Sequence, residues 1–366
     1  MDTYISDYVM ALSEEIKQVG RFINQSSIVN TIYFGGGTPS ILQMDHIKQI
    51  FQMLNENVKI RTEPEISFEV NPGTVSRDYL RAIFRLGINR LSIGMQSADE
   101  AELKMLGRIH DLKDVKNALD WAKNAGFHNI SLDLIFGLPG QTMQSWRKSL
   151  NAAIKMQPHH ISLYALTIET NTPLSRDINK NNIPLCPDDL AADMYEWAME
   201  TLPGDGYIQY EISNWAKERE GGKNYQCAHN LQYWRNGSYI GLGAGAHSHY
   251  NNKRWENISS IPEYIKAIKQ TLTSEEFFAR INVIDNDMNT EMQETMMLGL
   301  RLVEEGISKK AFISKYGEDM TEKFSEEINK LLKVRLIEWE KKSEDKLKLT
   351  KHGILLGNQV FVNFVN

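Results

Sequence analysis

The run Tyr33-Phe34-Gly35-Gly36-Gly37-Thr38-Pro39-Ser40 is the strongest chemical signal in the chain. Three glycines after a β-branched stretch let the backbone turn sharply and approach a ligand closely. Their N–H and C=O groups can hold an ammonium and a carboxylate, the head of an amino acid. The competing reading is a plain strand-to-helix turn capped by Thr38 or Ser40. Three glycines with Thr-Pro at a strand's C-terminal end favour the ligand, because sites in parallel barrels gather at that face. Glu69, Gln96 and Asp133 lie at or near the ends of later strand-like runs, and Arg108 follows in LGRIH. Polar groups at successive strand ends point into one mouth. A buried carboxylate is costly unless paired or liganded. Each of the four is, alone, as readily a structural salt bridge; together with the glycine turn they indicate a site.

A second group lies downstream. Tyr210-Glu211-Ile212-Ser213-Asn214-Trp215 leads to His229-Asn230-Leu231-Gln232-Tyr233-Trp234 and then to Tyr239–Ser248, which includes His247. Imidazole can ligate a metal, and aromatic rings present flat apolar faces. Against this, a lone histidine among aromatics is more often a hydrogen-bonded packing residue, and residue logic alone favours that. Cys227 and His229 are two apart and share one side if the segment is extended; Cys227 is taken as incidental. Gly241-Leu242-Gly243-Ala244-Gly245-Ala246 fits a loose dinucleotide fingerprint. No amphipathic helix follows it and no acidic residue ends a next strand, so that reading is rejected. The glycines are expected to pack loop backbone against the barrel mouth.

These residues need elements to position them. Ile5, Tyr8, Val9, Leu12, Ile16, Val19 and Ile23 form one helical apolar stripe. Five β-branched runs follow, Val29–Phe34, Glu65–Val70, Asn89–Ile93, Asn129–Ile135 and His160–Ala165. Helical patterns separate them, such as Asp78–Leu86 between Ser76 and Gly87, and Leu112–Ala125 before Gly126. Strands alternating with helices imply parallel βα units. LSIGM and SLDLIFG look apolar on both faces, as in a sheet covered on both sides. Residues 171–189 read as a linker, followed by a helix at about 190–202. The chain then turns helical from Thr290 and closes with FSEEINKLLK and LIEWEKKSEDKLKLT, helices followed by a hairpin. That order resembles a small winged helix. Glu322, Glu326 and Glu327 on its central helix oppose DNA binding. The expected division is 1–175, 176–285 and 286–366.

Composition narrows the function. A length of 366 residues accommodates two or three domains. With 42% hydrophobic and 24% charged residues the chain is an ordinary globular protein. A net charge of −6 gives no footprint for nucleic acid. No apolar run reaches the roughly 18 residues of a membrane span. MDTYISDYVM is no secretory signal, and the cysteines, Cys186 and Cys227, form no disulfide framework. A cytoplasmic location is expected.

YFGGGTPS, FEVNPG, RLSIGMQS, LGRIH and LDLIFGLPGQT, in this order, resemble the coproporphyrinogen III oxidase-like branch of the radical S-adenosylmethionine (SAM) superfamily. The HNLQYW block resembles HemW-type heme chaperones within that branch. The resemblance implies an α/β fold: a partial parallel barrel of six βα units that lacks its first strand, plus a C-terminal winged-helix-like module. It implies SAM contacts from Gly36, Gly37 and Thr38 at the methionyl end and from Glu69, Gln96, Arg108 and Asp133 elsewhere. It implies heme at His229, Asn230, Tyr233 and Trp234, with His229 on the iron, and transfer to an acceptor haemoprotein. It implies a [4Fe–4S] cluster as well, but the family's CxxxCxxC loop has no counterpart here. SAM binding is therefore expected to be weak. The gap reads as a truncated copy, a start placed inside a longer frame, or a protein that has dropped the radical chemistry. It would leave the edge of Val29–Phe34 unpaired, a liability. The alternative function is an oxygen-independent coproporphyrinogen III oxidase, an enzyme rather than a carrier.

Overall fold

The computed structural model describes residues 4–23, 26–170, 172–180, 183–218, 224–270, 279–341 and 345–365. The opening stripe forms α1 (Ile5–Phe22). Five parallel strands follow, β1 (Val29–Phe34), β2 (Ile60–Val70), β3 (Arg90–Gln96), β4 (Ile130–Phe136) and β5 (His160–Ala165). They alternate with α2 (Met44–Asn57), α3 (Arg77–Arg85), α4 (Glu100–Met105), α5 (Leu112–Ala125) and α6 (Met143–Lys155). The caps act as their residue types dictate. Ser76 accepts the Tyr79 N–H at 3.2 Å, and Gly126 ends α5 at φ +109°, open only to a residue without a Cβ penalty.

The 171–189 stretch is not wholly a linker. It carries α7 (Pro173–Asn179), started by Thr172, which accepts the Ser175 N–H, and it ends inside α8 (Asp188–Thr201). The next two strands extend the barrel sheet, which the sequence pattern did not reveal. β6 (Tyr207–Glu211) and β7 (Asn214–Lys217) form a hairpin whose β7 runs antiparallel to β5. The sheet order is β1-β2-β3-β4-β5-β7-β6, with β1 at one edge.

The two faces of this curled sheet differ. Phe68, Leu91, Ile93, Leu132 and Ile161 point outward and are fully buried beneath the helices in the main core. Their neighbours one position away point inward: Thr31 and Tyr33; Glu65, Ser67 and Glu69; Arg90 and Ser92; Ser131 and Asp133; His160 and Ser162. LSIGM and SLDLIFG are therefore covered on one face only. The other face lines a polar lumen, which a half-barrel encloses and a flat doubly covered sheet does not.

A short helix, α9 (Ala228–Trp234), follows the hairpin. A small sheet in the order β10-β9-β8 comprises β8 (His247–Tyr250), β9 (Lys253–Asn257) and β10 (Arg280–Asp285), with α10 (Ile261–Gln270) beside it. α1 packs between α2 and α10, with Ile16 against Ile50 and Leu54 and Ala11 against Tyr264 and Ile268.

The C-terminal module holds α11 (Met288–Gly299), β11 (Ile307–Ser308), α12 (Lys309–Tyr316), α13 (Met320–Lys323), α14 (Ser325–Lys333), β12 (Ile337–Trp339) and β13 (Lys346–Leu349). Its three strands pair antiparallel around a separate core that includes Met296, Phe312, Ile328 and Leu347. Glu322 lies on α13 and Glu326 and Glu327 on α14, so the acidic run spans two helices broken at Phe324. Part of the hairpin's polar turn, 342–344, lies outside the described residues. Among the described residues no helix is long and apolar enough to cross a membrane.

Candidate functional site in the barrel lumen

The rim is built on the glycine turn. A Cβ on Gly35 would sit 2.4 Å from the Tyr33 ring and 2.7 Å from Glu69, whereas nothing lies within 4 Å of one on Gly36 or Gly37. The turn thus lies tight against the strands on one side and open on the other. Gly36 adopts φ +82°, which favours glycine. Thr38 precedes a short 3₁₀ turn but makes no capping bond, and Ser40 bonds Thr74 instead, at 2.7 Å. The alternative of a capped turn is not what forms.

Glu69 accepts the Tyr33 hydroxyl at 2.8 Å and the Gly36 N–H, while burial raises its carboxyl above the usual range. Asp133, two strands further, accepts from Ser92 at 2.7 Å and Ser131 at 2.9 Å. Gln96 ends β3 at φ +62°, a left-handed bulge that folds its amide over Gly94. Arg108 follows α4 half-buried, and burial lowers its guanidinium pKa. The structure joins the glycine turn to Glu69 directly. No hydrogen bond ties Gln96 or Arg108 to that pair among the described residues.

The second group closes the lumen from the side of α9. The segment around Cys227 and His229 is not extended: Cys227 is the residue before the helix and is buried, and His229 lies in its first turn. Glu65 holds this helix start. Its carboxylate accepts the N–H groups of Ala228 and His229, each at 3.0 Å, with the Cys227 thiol at 3.5 Å. Burial pushes that thiol up to about 11, so it stays protonated.

The His229 ring is fully engaged. Nδ1 meets Thr31 Oγ1 at 2.8 Å and Nε2 meets the Tyr233 hydroxyl at 2.8 Å. The ring stacks on Tyr33 at 5.2 Å and 21°, and Tyr233 stands edge-on to it. Burial lowers the His229 pKa to about 4; Glu65 opposes the shift and Arg90 adds to it. The imidazole is therefore neutral at pH 7, the form that binds metals. Asn230 bonds Glu211, and Trp234 lies under the Arg301 guanidinium at 4.3 Å, so Trp234 joins the helix to the C-terminal module.

A cleft of about 970 Å³ runs along the free edge of β1, lined by Tyr33, Gly35, Gly36, Arg90, His229, Tyr233, Tyr239 and His247. Its far wall is the 238–251 segment. Of the glycines there, Gly243 packs on α1 against Tyr8 and Leu12, whereas Gly241 lines the cleft. Glu15, wholly buried, accepts the Gly243 N–H at 2.7 Å and the Tyr264 hydroxyl at 2.7 Å, and bonds Asn257. The expected site residues omitted Thr31, Tyr33, Glu65, Arg90 and His160. Their signal was present as polar residues at every second position of otherwise apolar strands.

A curled parallel half-barrel with a glycine turn at its rim and this C-terminal module defines a radical SAM-type protein of HemN-like architecture. Residues 3–153 match the radical SAM superfamily and residues 287–356 the HemN C-terminal domain. The solved structure of coproporphyrinogen III oxidase (HemN) from Escherichia coli superposes with a TM-score of 0.81 over 98% of this chain and 83% of that one, at 21% identity, a likeness of fold. The heme chaperone HemW of Bacillus subtilis is 36% identical over 99% of this chain and 92% of its own length. That of Lactococcus lactis is 31% identical over 99% and 90%. The chain belongs to the HemW family.

Proposed function

We propose that the chain is a heme chaperone: it binds heme in the cleft beside α9 and passes it to an acceptor haemoprotein. The observation that carries this is His229, a neutral imidazole between Tyr33 and Tyr233 on the wall of a cleft of about 970 Å³. Ligation of iron requires one of its two hydrogen bonds to open, and the Tyr233 hydroxyl on Nε2 is the partner free to swing on a helix side chain. Release re-forms that bond, worth roughly 1 kcal/mol. A ligand with an internal substitute waiting suits a carrier better than a permanent heme protein. Asn230 and Trp234 hold the helix, and Tyr233 faces the porphyrin. A cytoplasmic location belongs to the same proposal.

The rim fits SAM in kind. Gly36, Gly37 and Thr38 offer the open side of the glycine turn and an uncapped hydroxyl for the methionyl end, and Glu69, Gln96, Arg108 and Asp133 supply polar contacts for the rest. The chain's thiols do not fit a [4Fe–4S] cluster. Three thiolates are needed, and of two cysteines one is buried against Glu65. The alternative, an oxygen-independent coproporphyrinogen III oxidase, rests on the HemN-like fold alone. SAM binding without cluster chelation is weak in this reading.

Soret titration of the purified chain tests the proposal. Wild type should bind heme near one to one. His229→Ala should shift the Soret maximum and weaken binding at least about tenfold, the loss of an axial ligand. An unchanged spectrum and affinity in the variant would remove His229 from the iron and make His247 the next ligand to test.

A further inference from the structure

Among the described residues the lumen contains a guanidinium with no ion-pair partner. Arg90 opens β3, points inward and is 2% exposed. Among the described residues its Nε has no hydrogen-bond partner and the guanidinium forms no ion pair. Glu65 is the carboxylate whose field reaches it, yet the Glu65 oxygens are engaged by the start of α9. Of the other groups coupled to it, Tyr33, Tyr210 and Cys227 are hydroxyls and a thiol that burial keeps protonated, and His160 and His229 are imidazoles that burial keeps neutral. A buried guanidinium without hydrogen bonds is expensive unless a ligand completes it. Arg90 lines the same cleft as His229, and its charge is felt at the His229 ring.

We propose that Arg90 is an anion subsite of this cleft and that it takes a carboxylate, the propionate side chain of the porphyrin bound at His229. The planar fork of arginine matches a carboxylate with two parallel bonds. Ser92 and His160 line the cleft beside it and are themselves bonded to Asp133 and Tyr210. They shape the pocket while Arg90 supplies the charge. The subsite fixes which porphyrin edge enters first. It also selects porphyrins with free acid groups over esterified ones. The inference rests on the heme reading for the identity of the carboxylate, and on geometry alone for the anion site.

The test compares heme with heme dimethyl ester in Soret titrations of wild type, Arg90→Met and Arg90→Lys. A parallel thermal scan adds propionate against chloride at equal ionic strength. Wild type should prefer heme over the ester by about tenfold or more, the order of one charge-assisted hydrogen bond. Arg90→Met should bind both equally, at the wild-type affinity for the ester, and Arg90→Lys should keep part of the preference. Propionate should raise the melting temperature of wild type and not that of Arg90→Met. Without ligand, Arg90→Met should melt no lower than wild type. Equal wild-type affinity for heme and ester overturns the inference and leaves the heme reading standing. A response to propionate with no binding of either porphyrin does the reverse. No response to either overturns both. A ligand-free Arg90→Met that melts well below wild type assigns the guanidinium to the fold and also overturns the inference.

Discussion

At the scale of single residues, the two histidines of the lumen should make the protein acid-sensitive. Burial lowers the His229 pKa to about 4 and drives His160 down in the same direction. An unfolded histidine titrates near 6.5. As pH falls below about 6.5 the unfolded chain takes up protons that the folded chain refuses, so stability is lost between roughly pH 6.5 and 4 and is fully present above. Urea midpoints should be flat above pH 7 and fall steadily below 6.5. His229→Gln should remove part of that slope; an identical slope in wild type and variant would mean that the ring is solvated. Legibility divides at this scale. The glycine turn and Glu69 could be placed from strand ends, because a parallel sheet brings its C-terminal ends together. Thr31 against His229, or Glu65 against the start of α9, could not, because these contacts join residues more than 160 positions apart. Local spacing carries no information about them.

At the scale of elements, α9 is the part that matters most and stabilises itself least. It has seven residues, too few to persist alone. It is held from outside: Glu65 at its start, Thr31 and Tyr33 on His229, and Arg301 over Trp234. Glu65→Ala should leave two amides without partners and cost about 2 kcal/mol. Heme affinity should fall as well, although Glu65 is not placed on the porphyrin. Wild-type heme affinity in a destabilised Glu65→Ala would show that the site does not depend on the helix start. The five parallel strands were readable because β-branched runs between capped helices have one solution. The β6–β7 hairpin was not, since antiparallel addition to a parallel sheet leaves no local signature. The inner polar face was obscured because serines inside apolar strands read as neutral.

At the scale of the whole molecule, the middle segment is fastened to both ends. Arg254 grips Glu294 at 2.6 and 2.7 Å, and His249 meets Glu291 at 2.8 Å. Together they tie the β8–β9 hairpin to α11. His249, Glu291 and Glu294 are close enough to hold a metal ion. Arg254, Asn236 and Asn286 already occupy those carboxylates, so the group is an ion-pair clamp. The clamp keeps the cleft wall and the C-terminal module in one unit. Iron chemistry at the rim is a separate matter. Anaerobic reconstitution of this polypeptide should give no stoichiometric [4Fe–4S] loading, because two distant cysteines cannot provide three thiolates. Four irons per chain with cluster absorption would contradict that.

A carrier differs from a heme-binding protein in handing its heme over. Stopped-flow mixing of the heme-loaded protein with an apo-haemoprotein of b type tests this most directly. Transfer should accelerate with acceptor concentration and saturate, the behaviour of a complex in which Tyr233 displaces the iron from His229. A rate independent of acceptor, equal to that of release to a passive heme scavenger, would contradict it and reduce the protein to a heme-binding one.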